Sequence, residues 1–550
     1  MPVLVAIMMK YSDVINDGQR FPRNYYEQLQ RCTGLKPLNI FATINNRWTI
    51  NETAHESWEA EFFSDSIKNK AERFRRKLTE EGVAFTRAGC LLNLKLLLGS
   101  RVADAPFKET AIGAVALHAN DYVESVETSG LAKDTLPAIA EFGPMWELQN
   151  IREPANLVAR YFRLYQLLQQ DDRMTALFKR PIGELTLAGL TFREYFTLLV
   201  GLFANARSGI MEYPKPTSII NARKVATDAH LTVEQFTTFA ASKALKRDAA
   251  LTAFGPLDLE QFVARVTTNA WTSDQRPFRR TPLLALPGGD YLVLDLQFLF
   301  ESASAGIPWA LKDEYLTKEQ SRLFLNYWGT VFERYVQELL AHYYPTQAPV
   351  ERKYGHDGQI DGFFVAGEDV IVVEVKAGFL AQEKKGSRDQ KLVAAALRTK
   401  YVTDDENRAV GVRQLAVTCS AVLDGVLGTV PGRIYPVLVG EEPMLQVPLV
   451  NTYLNDIFRE HVTSERIAPL TVMLVDELEQ LLPNIAAGDL SWQDLITERC
   501  DGMRIIGAPV HTTLLDLAMK RRFRRRPDPF LGAKSEELIA MVNETYKDLG

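Results

Sequence analysis

Residues 361–376 of this chain have the pattern of a β-hairpin with charged side chains at its open end. Two runs rich in β-branched and aromatic residues flank a short turn that contains Gly367. A turn over 366–369 sets the register of the two strands. In that register Asp361 lies across from Glu374, and the pairs further along the hairpin are 362 with 373, 363 with 372, and 364 with 371.

The charges at the open end are unusual for such an apolar hairpin. Side chains alternate along a strand, so Glu374 and Lys376 share one face while Val373 and Val375 point to the other. Directly opposed carboxylates, with Cβ atoms roughly 4.5–5.5 Å apart, repel each other, and a hard divalent cation relieves that repulsion. Unpaired charge is costly to bury after an apolar run. This favours a functional site over a solvated surface hairpin, although the spacing by itself leaves both open.

Asp361 followed by Glu374-Val375-Lys376 resembles the motif of the PD-(D/E)xK nuclease superfamily, with Ile360 in place of the proline of the motif. The resemblance covers about residues 320–440. The predicted elements resemble the αβββαβ core of that superfamily. They are a helix over 319–344, strands over 350–354, 359–365 and 370–376, a helix over 387–401, and a strand over 414–420.

The resemblance implies an α/β restriction-endonuclease-like core, a central mixed sheet flanked by helices, within a multidomain and mostly α chain. It also implies that Asp361, Glu374 and the backbone carbonyl of Val375 bind Mg²⁺ or Mn²⁺, and that Lys376 stabilises developing negative charge. Two further catalytic candidates follow from it. Glu333 would lean over the site, unless it is an exposed helical Glu. Gln390 would orient water or a phosphate, unless it is simply solvated.

Basic residues provide two candidate nucleic-acid contacts. A lip beside the site would consist of Lys384, Lys385, Arg388 and Lys391. The densest basic run in the chain contains Lys520, Arg521, Arg522, Arg524, Arg525 and Arg526, with Phe523 available for stacking. The alternative for this run is a solvated helix end or an interface with an acidic neighbouring region.

The chain is too long for one ordinary core, which predicts several domains. We expect a helical region over 1–285 with a regulatory or targeting role, a nuclease-like domain over 286–442, and an α-rich region with the basic run over 443–550.

The net charge of −6 restricts nucleic-acid binding to local patches. The four cysteines form no Cys-x-x-Cys pair, which favours a reducing cytoplasm. The sequence has no apolar run near the ~20 residues that span a bilayer, so no membrane association is expected.

These observations predict a metal-dependent nuclease that hydrolyses phosphodiester bonds, with DNA favoured over RNA. The large helical flanks suggest gated activity, restriction or antiviral defence, and either a homo-oligomer or a regulatory partner. Three alternatives stay open: an RNase on the same fold, a non-catalytic nucleic-acid-binding or scaffold module, and a helical regulatory protein with an incidental hairpin.

Overall fold

The structure is a computed structural model, and it describes most of the chain with gaps. The described residues are 7–8, 22–50, 62, 82–83, 85–100, 107–109, 111–123, 136, 139–140, 152–212, 215–255, 258–267, 271–272, 274–345, 352–354, 358–385, 389–404, 406, 408–428, 430–501, 503–505, 508–510, 513–521 and 525–548.

Helices make up most of the described chain, as the sequence predicts. Their bounds are α1 (Pro22–Gln30), α2 (Leu35–Thr49), α3 (Arg87–Gly99), α4 (Ala111–Val123), α5 (Pro154–Gln169), α6 (Asp172–Phe178), α7 (Phe192–Met211), α8 (Ala222–Asp228), α9 (Val233–Lys243), α10 (Arg247–Phe254), α11 (Leu259–Val266), α12 (Arg276–Arg280), α13 (Leu296–Ala303), α14 (Ile307–Tyr315), α15 (Lys318–Tyr343), α16 (Gln382–Lys385), α17 (Gln390–Tyr401), α18 (Val412–Leu423), α19 (Pro448–Glu460), α20 (Val475–Ala486), α21 (Trp492–Asp501), α22 (Leu514–Lys520) and α23 (Pro529–Asp548). Short 3₁₀ helices cover Ile182–Glu184 and Pro443–Gln446.

The strands are short apart from those that carry the hairpin and its neighbour. Their bounds are β1 (Ile7–Met8), β2 (Gly82–Val83), β3 (Thr186–Leu187), β4 (Leu190–Thr191), β5 (Ile219–Ile220), β6 (Ala244–Leu245), β7 (Leu283–Ala285), β8 (Tyr291–Val293), β9 (Arg352–Tyr354), β10 (Gly358–Ile360), β11 (Gly362–Ala366), β12 (Asp369–Lys376), β13 (Ile434–Gly440), β14 (Thr471–Leu474), β15 (Met503–Ile505) and β16 (Ala508–Val510).

Capping boxes fix where several helices begin. At the start of α9, the Thr232 hydroxyl accepts a hydrogen bond from the backbone N–H of Gln235, and the side-chain oxygen of Gln235 accepts one from the backbone N–H of Thr232. Thr317 and Gln320 form the same arrangement at the start of α15. That start defines the long helix that lies against the candidate site.

A four-stranded mixed sheet in the order β11-β12-β13-β14 lies between two helical layers. β11 and β12 are antiparallel, whereas β12, β13 and β14 are mutually parallel. The alternating residues Ile371, Val373 and Val375 join a core that contains the apolar stripe of α15. Val370 and Val372 join a second core built with α17, α18 and α19. Glu374, which follows Val372 in this alternation, therefore belongs to the second face.

A third core lies in the N-terminal part of the chain, where α2, α3 and α4 pack with residues from 250–298. A second four-stranded sheet, in the order β5-β8-β7-β6, joins segments on both sides of residue 285. β14, which lies beyond residue 442, belongs to the central sheet. The predicted domain boundaries at 285 and 442 stay predictions, and both lie close to elements that pair across them.

The predicted strand over 414–420 is wrong, because these residues lie in the helix α18. Leu415, Cys419 and Val422 are buried at helical spacing, so the run is apolar on one face and not on alternate residues. The strand that follows the helical segment is instead β13, and all seven of its residues are buried. Such a continuously apolar run is typical of a parallel strand covered on both faces.

The other predicted elements of this region need smaller corrections. The helix predicted over 387–401 begins at Gln390 with Asp389 as its N-cap, so the predicted cap at Ser387, outside the described residues, is wrong. The strand predicted over 359–365 is broken at Asp361 into β10 and β11, and β10 pairs with β9 in a separate two-stranded sheet. Among the described residues, no helix is both long enough and apolar enough to cross a membrane.

Candidate functional site

The hairpin of β11 and β12 has the predicted register. Residue pairs 362/373, 363/372 and 364/371 are all present, and the turn at Gly367 has a φ of 69°. The ladder ends one pair earlier than expected, because Asp361 lies in a bend before β11. Its side chain does not extend the ladder opposite Glu374. One carboxylate oxygen of Asp361 accepts a hydrogen bond from the backbone N–H of Val375 at 2.8 Å.

Glu374 is a buried acid with an ammonium beside it. Its side chain is 2% exposed, and its Oε1 lies 2.7 Å from Nζ of Lys376. The pKa of Glu374 is raised to about 8, first by burial and then by the charge of Asp361, while the neighbouring Lys376 opposes the rise. The cause is the one the hairpin predicts: two carboxylates in one desolvated place, where like charges disfavour ionisation.

Lys376 stays charged at this site. Burial lowers its pKa, but the carboxylates of Glu374 and Asp361 outweigh burial and raise the pKa above the ordinary value of a lysine. Its side chain is 22% exposed, so part of the side chain reaches solvent. A cation in this position can reach both the acids and an incoming anion.

The backbone of Val375 faces the strand edge that Asp361 covers. β11 ends at Gly362, so the described strands leave β12 without an antiparallel partner beyond Val373. The N–H of Val375 points to this edge, where it bonds to Asp361. The C=O of a strand residue points to the same side as its N–H, so the carbonyl of Val375 faces the same edge.

The helix α15 brings Glu333 and Gln337 to the site. Glu333 is half-buried, and its charge raises the pKa of Glu374 in addition to burial and Asp361. One turn later, the side-chain amide of Gln337 donates to the backbone carbonyl of Asp361 at 2.9 Å. The predicted role of Glu333 at the site stays a prediction, and Gln337 is a contact that was not predicted from the sequence.

Two consecutive buried acids, Glu441 and Glu442, follow β13 and bind the segment after Lys376. Glu441 accepts from the N–H of Gly378 at 2.7 Å. Glu442 accepts from the N–H of Leu380 at 2.5 Å and pairs with Nζ of Lys385 at 2.9 Å. Neither acid was predicted from the sequence. The signal was a pair of glutamates directly after an entirely apolar strand.

One residue of the predicted basic lip is buried, and the rest of the lip stays a prediction. Lys385 is 3% exposed and paired with Glu442, so its predicted place on an accessible lip is wrong. The α16 turn buries its ammonium against the end of β13. Lys384 and Lys391 are exposed. Arg388 lies outside the described residues. Gln390 is exposed at the first residue of α17, and its role at the site stays a prediction.

The basic run near residue 520 is paired with acids where the structure describes it. Arg521 pairs with Glu498 at 2.7 Å, Arg525 with Glu153 at 3.6 Å, and Arg526 with Asp489 at 2.6 Å. These pairs fit the alternative of an interface with acidic regions. Arg522, Phe523 and Arg524 lie outside the described residues, as does the side chain of Lys520. Cys32, Cys90 and Cys419 are buried.

The donors at the end of β12 fit a hard divalent cation. Asp361 and Glu374 supply carboxylates, and Val375 supplies a carbonyl on the same edge. The raised pKa of Glu374 reflects burial and, after it, repulsion from Asp361, and a cation would relieve that repulsion. Within the described residues, no group of three or more His, Cys, Asp or Glu side chains is arranged to hold a metal ion. The donor set at the end of β12 has two such side chains, and its third donor is a backbone carbonyl.

The chain was also compared with known proteins. No protein-family model matches it, no curated protein matches it, and no solved structure matches it.

Proposed function

We propose that this protein is a metal-dependent nuclease with a restriction-endonuclease-like core, and that its preferred substrate is DNA. The observation that carries the proposal is the convergence of Asp361, Glu374 and Lys376 at the open end of β12. Two buried acids and a lysine in one desolvated place are a chemically costly arrangement. Such groups concentrate at functional sites.

Each residue has a distinct part in the proposed chemistry. Asp361 and Glu374, with the carbonyl of Val375, would hold Mg²⁺ or Mn²⁺. The bound cation supplies Lewis acidity to the phosphodiester group. Lys376 keeps its proton, so its ammonium donates hydrogen bonds to the phosphate oxygens as negative charge develops on them. Glu333 adds negative charge on the side of α15. The exposed Lys384 and Lys391 provide contacts for the sugar-phosphate backbone.

A cleavage assay of the full-length protein tests the proposal. Supercoiled plasmid, single-stranded DNA and structured RNA are each incubated with Mg²⁺, with Mn²⁺ or with chelator. We expect cleavage that requires metal and is lost in both Glu374→Ala and Lys376→Ala. Lys318→Ala, which removes an exposed lysine at the start of α15, is the matched control and should cut like the wild type.

The outcomes separate the candidate functions. Cleavage confined to RNA would show that RNA, and not DNA, is the substrate. The proposed fold and catalytic site would still stand. Absence of cleavage on every substrate, together with absence of Mn²⁺ binding by calorimetry, would refute the nuclease and favour a nucleic-acid-binding or scaffold module.

A further inference from the structure

Glu441 is a buried junction between four parts of the fold. It lies directly after β13 and is 2% exposed. Its Oε1 accepts from the hydroxyl of Tyr161 at 2.9 Å, and its Oε2 accepts from the indole N–H of Trp328 at 3.3 Å and from the N–H of Gly378 at 2.7 Å. Donors on both oxygens satisfy the carboxylate. Glu441 therefore holds structure and is not itself placed to bind a substrate.

The junction fixes the backbone that leaves the catalytic strand. Gly378 lies two residues after Lys376 and has a φ of 84°, which is a left-handed conformation that favours glycine. Nζ of Lys400 donates to the carbonyl of Ala377, and the N–H of Leu380 donates to Glu442. Side chains thus hold the segment 377–380 at three successive points. Movement of this segment would move Lys376.

The donor on the other side of the junction comes from the helical N-terminal part of the chain. Tyr161 lies on α5 and is 2% exposed, and it is separated from Glu441 by 280 residues of sequence. Arg152, just before α5, donates to the backbone carbonyl of Glu441 at 3.0 Å and pairs with Asp476 at 3.1 Å. Trp328 connects the same carboxylate to α15, the helix that carries Glu333.

We infer that Tyr161 is a positioning residue for the proposed nuclease site, acting through Glu441 and Gly378 on Lys376. The inference rests on the proposed function. It means that the helical N-terminal part of the chain completes the site, because a residue outside 286–442 orients the catalytic lysine. A hydrogen bond to a buried carboxylate is strong enough to set such an orientation, since charge-assisted bonds exceed neutral ones.

The chain offers a closely matched control for the test. Tyr165 lies one turn further along α5, is also buried, and donates its hydroxyl to the carbonyl of Ile182 at 2.8 Å. Tyr161→Phe and Tyr165→Phe each delete one buried hydroxyl from the same helix. Only the first deletion affects Glu441. A general loss of stability would therefore appear in both variants.

The experiment compares kcat and KM for DNA cleavage in the full-length wild type and the two variants. We expect Tyr161→Phe to lower kcat about tenfold, which corresponds to about 1.4 kcal/mol, and to leave KM unchanged. The two variants should have the same melting temperature. Tyr165→Phe should keep the wild-type kcat. Hydrogen exchange in the peptide over 375–380 should be faster in Tyr161→Phe alone.

Each contrary result has a definite meaning. Equal kcat values in the two variants, with an active wild type, would overturn the inference and leave the nuclease intact. Unchanged exchange over 375–380 despite a lower kcat would overturn the route through Gly378. A wild type that cuts no substrate would refute the nuclease, and the positioning role would fall with it.

Discussion

Replacing Glu374 with glutamine should stabilise the protein by an amount that grows with pH. Glu374 is buried, and its pKa is raised from 4.5 to about 8 by burial and then by Asp361. Between these two values the folded protein keeps a proton on Glu374 that the unfolded chain releases. The free energy of unfolding of the wild type therefore falls as pH rises through this window.

The size of the effect follows from the raised pKa. Each unit is worth about 1.4 kcal/mol, so the penalty grows to about 4 kcal/mol by pH 8. Glutamine has nearly the same shape and no charge, so the variant lacks this penalty. The pKa of about 8 already includes the attraction of Glu374 to Lys376, so this attraction is not subtracted again. The expected difference is close to its minimum below pH 4.5 and largest at pH 8.

Urea denaturation in chelator at pH 5, 6, 7 and 8 measures this difference. Glu368→Gln is the matched control, because it makes the same chemical change at an exposed position in the turn of the same hairpin. It should follow the wild type at every pH. The reasoning would be refuted if the difference in the free energy of unfolding between Glu374→Gln and the wild type did not change with pH. It would also be refuted if the wild type became more stable relative to the variant as pH rises.

Two further predictions concern metal binding and the ionic network behind the site. The proton on Glu374 competes with a cation, so the affinity for Mn²⁺ measured by calorimetry should rise up to about tenfold per pH unit between pH 6 and 8. Glu374→Gln should abolish binding, and equal affinity at both pH values would contradict the competition. Arg160 is buried and paired with Asp476 and Glu479, so Arg160→Ala should cost about 3–5 kcal/mol in urea denaturation. Arg521→Ala, which breaks an exposed pair, should cost less than about 1 kcal/mol, and similar costs for the two would count against the burial argument.

The hairpin and its register could be predicted from the local sequence. Apolar runs of β-branched residues on both sides of a glycine turn leave few other conformations, and the register follows because one slipped residue would reverse every side chain. The same local pattern placed Glu374 and Lys376 on one face. Capped amphipathic helices such as α9 and α15 were also predictable, because their signals lie within a few adjacent residues.

Short apolar runs were harder to assign from the sequence. Residues 414–420 have a composition that suits a strand or a helix, and packing against the central sheet favoured the helix. Likewise, no local signal distinguishes Lys385 from the exposed Lys384. The end of β13 buries one of these ammonium groups against Glu442 and leaves the other in solvent.

The distant residues that support the candidate site became apparent only in the folded chain. Asp361 turns out of the ladder to bond Val375, and Gln337 anchors that bend from α15. Glu441 and Tyr161 meet across 280 residues of sequence. Buried polar groups need partners, but any of many donors can satisfy them. Their pairing depends on how the helices pack against the sheet, and that packing is not encoded in any single stretch of the chain.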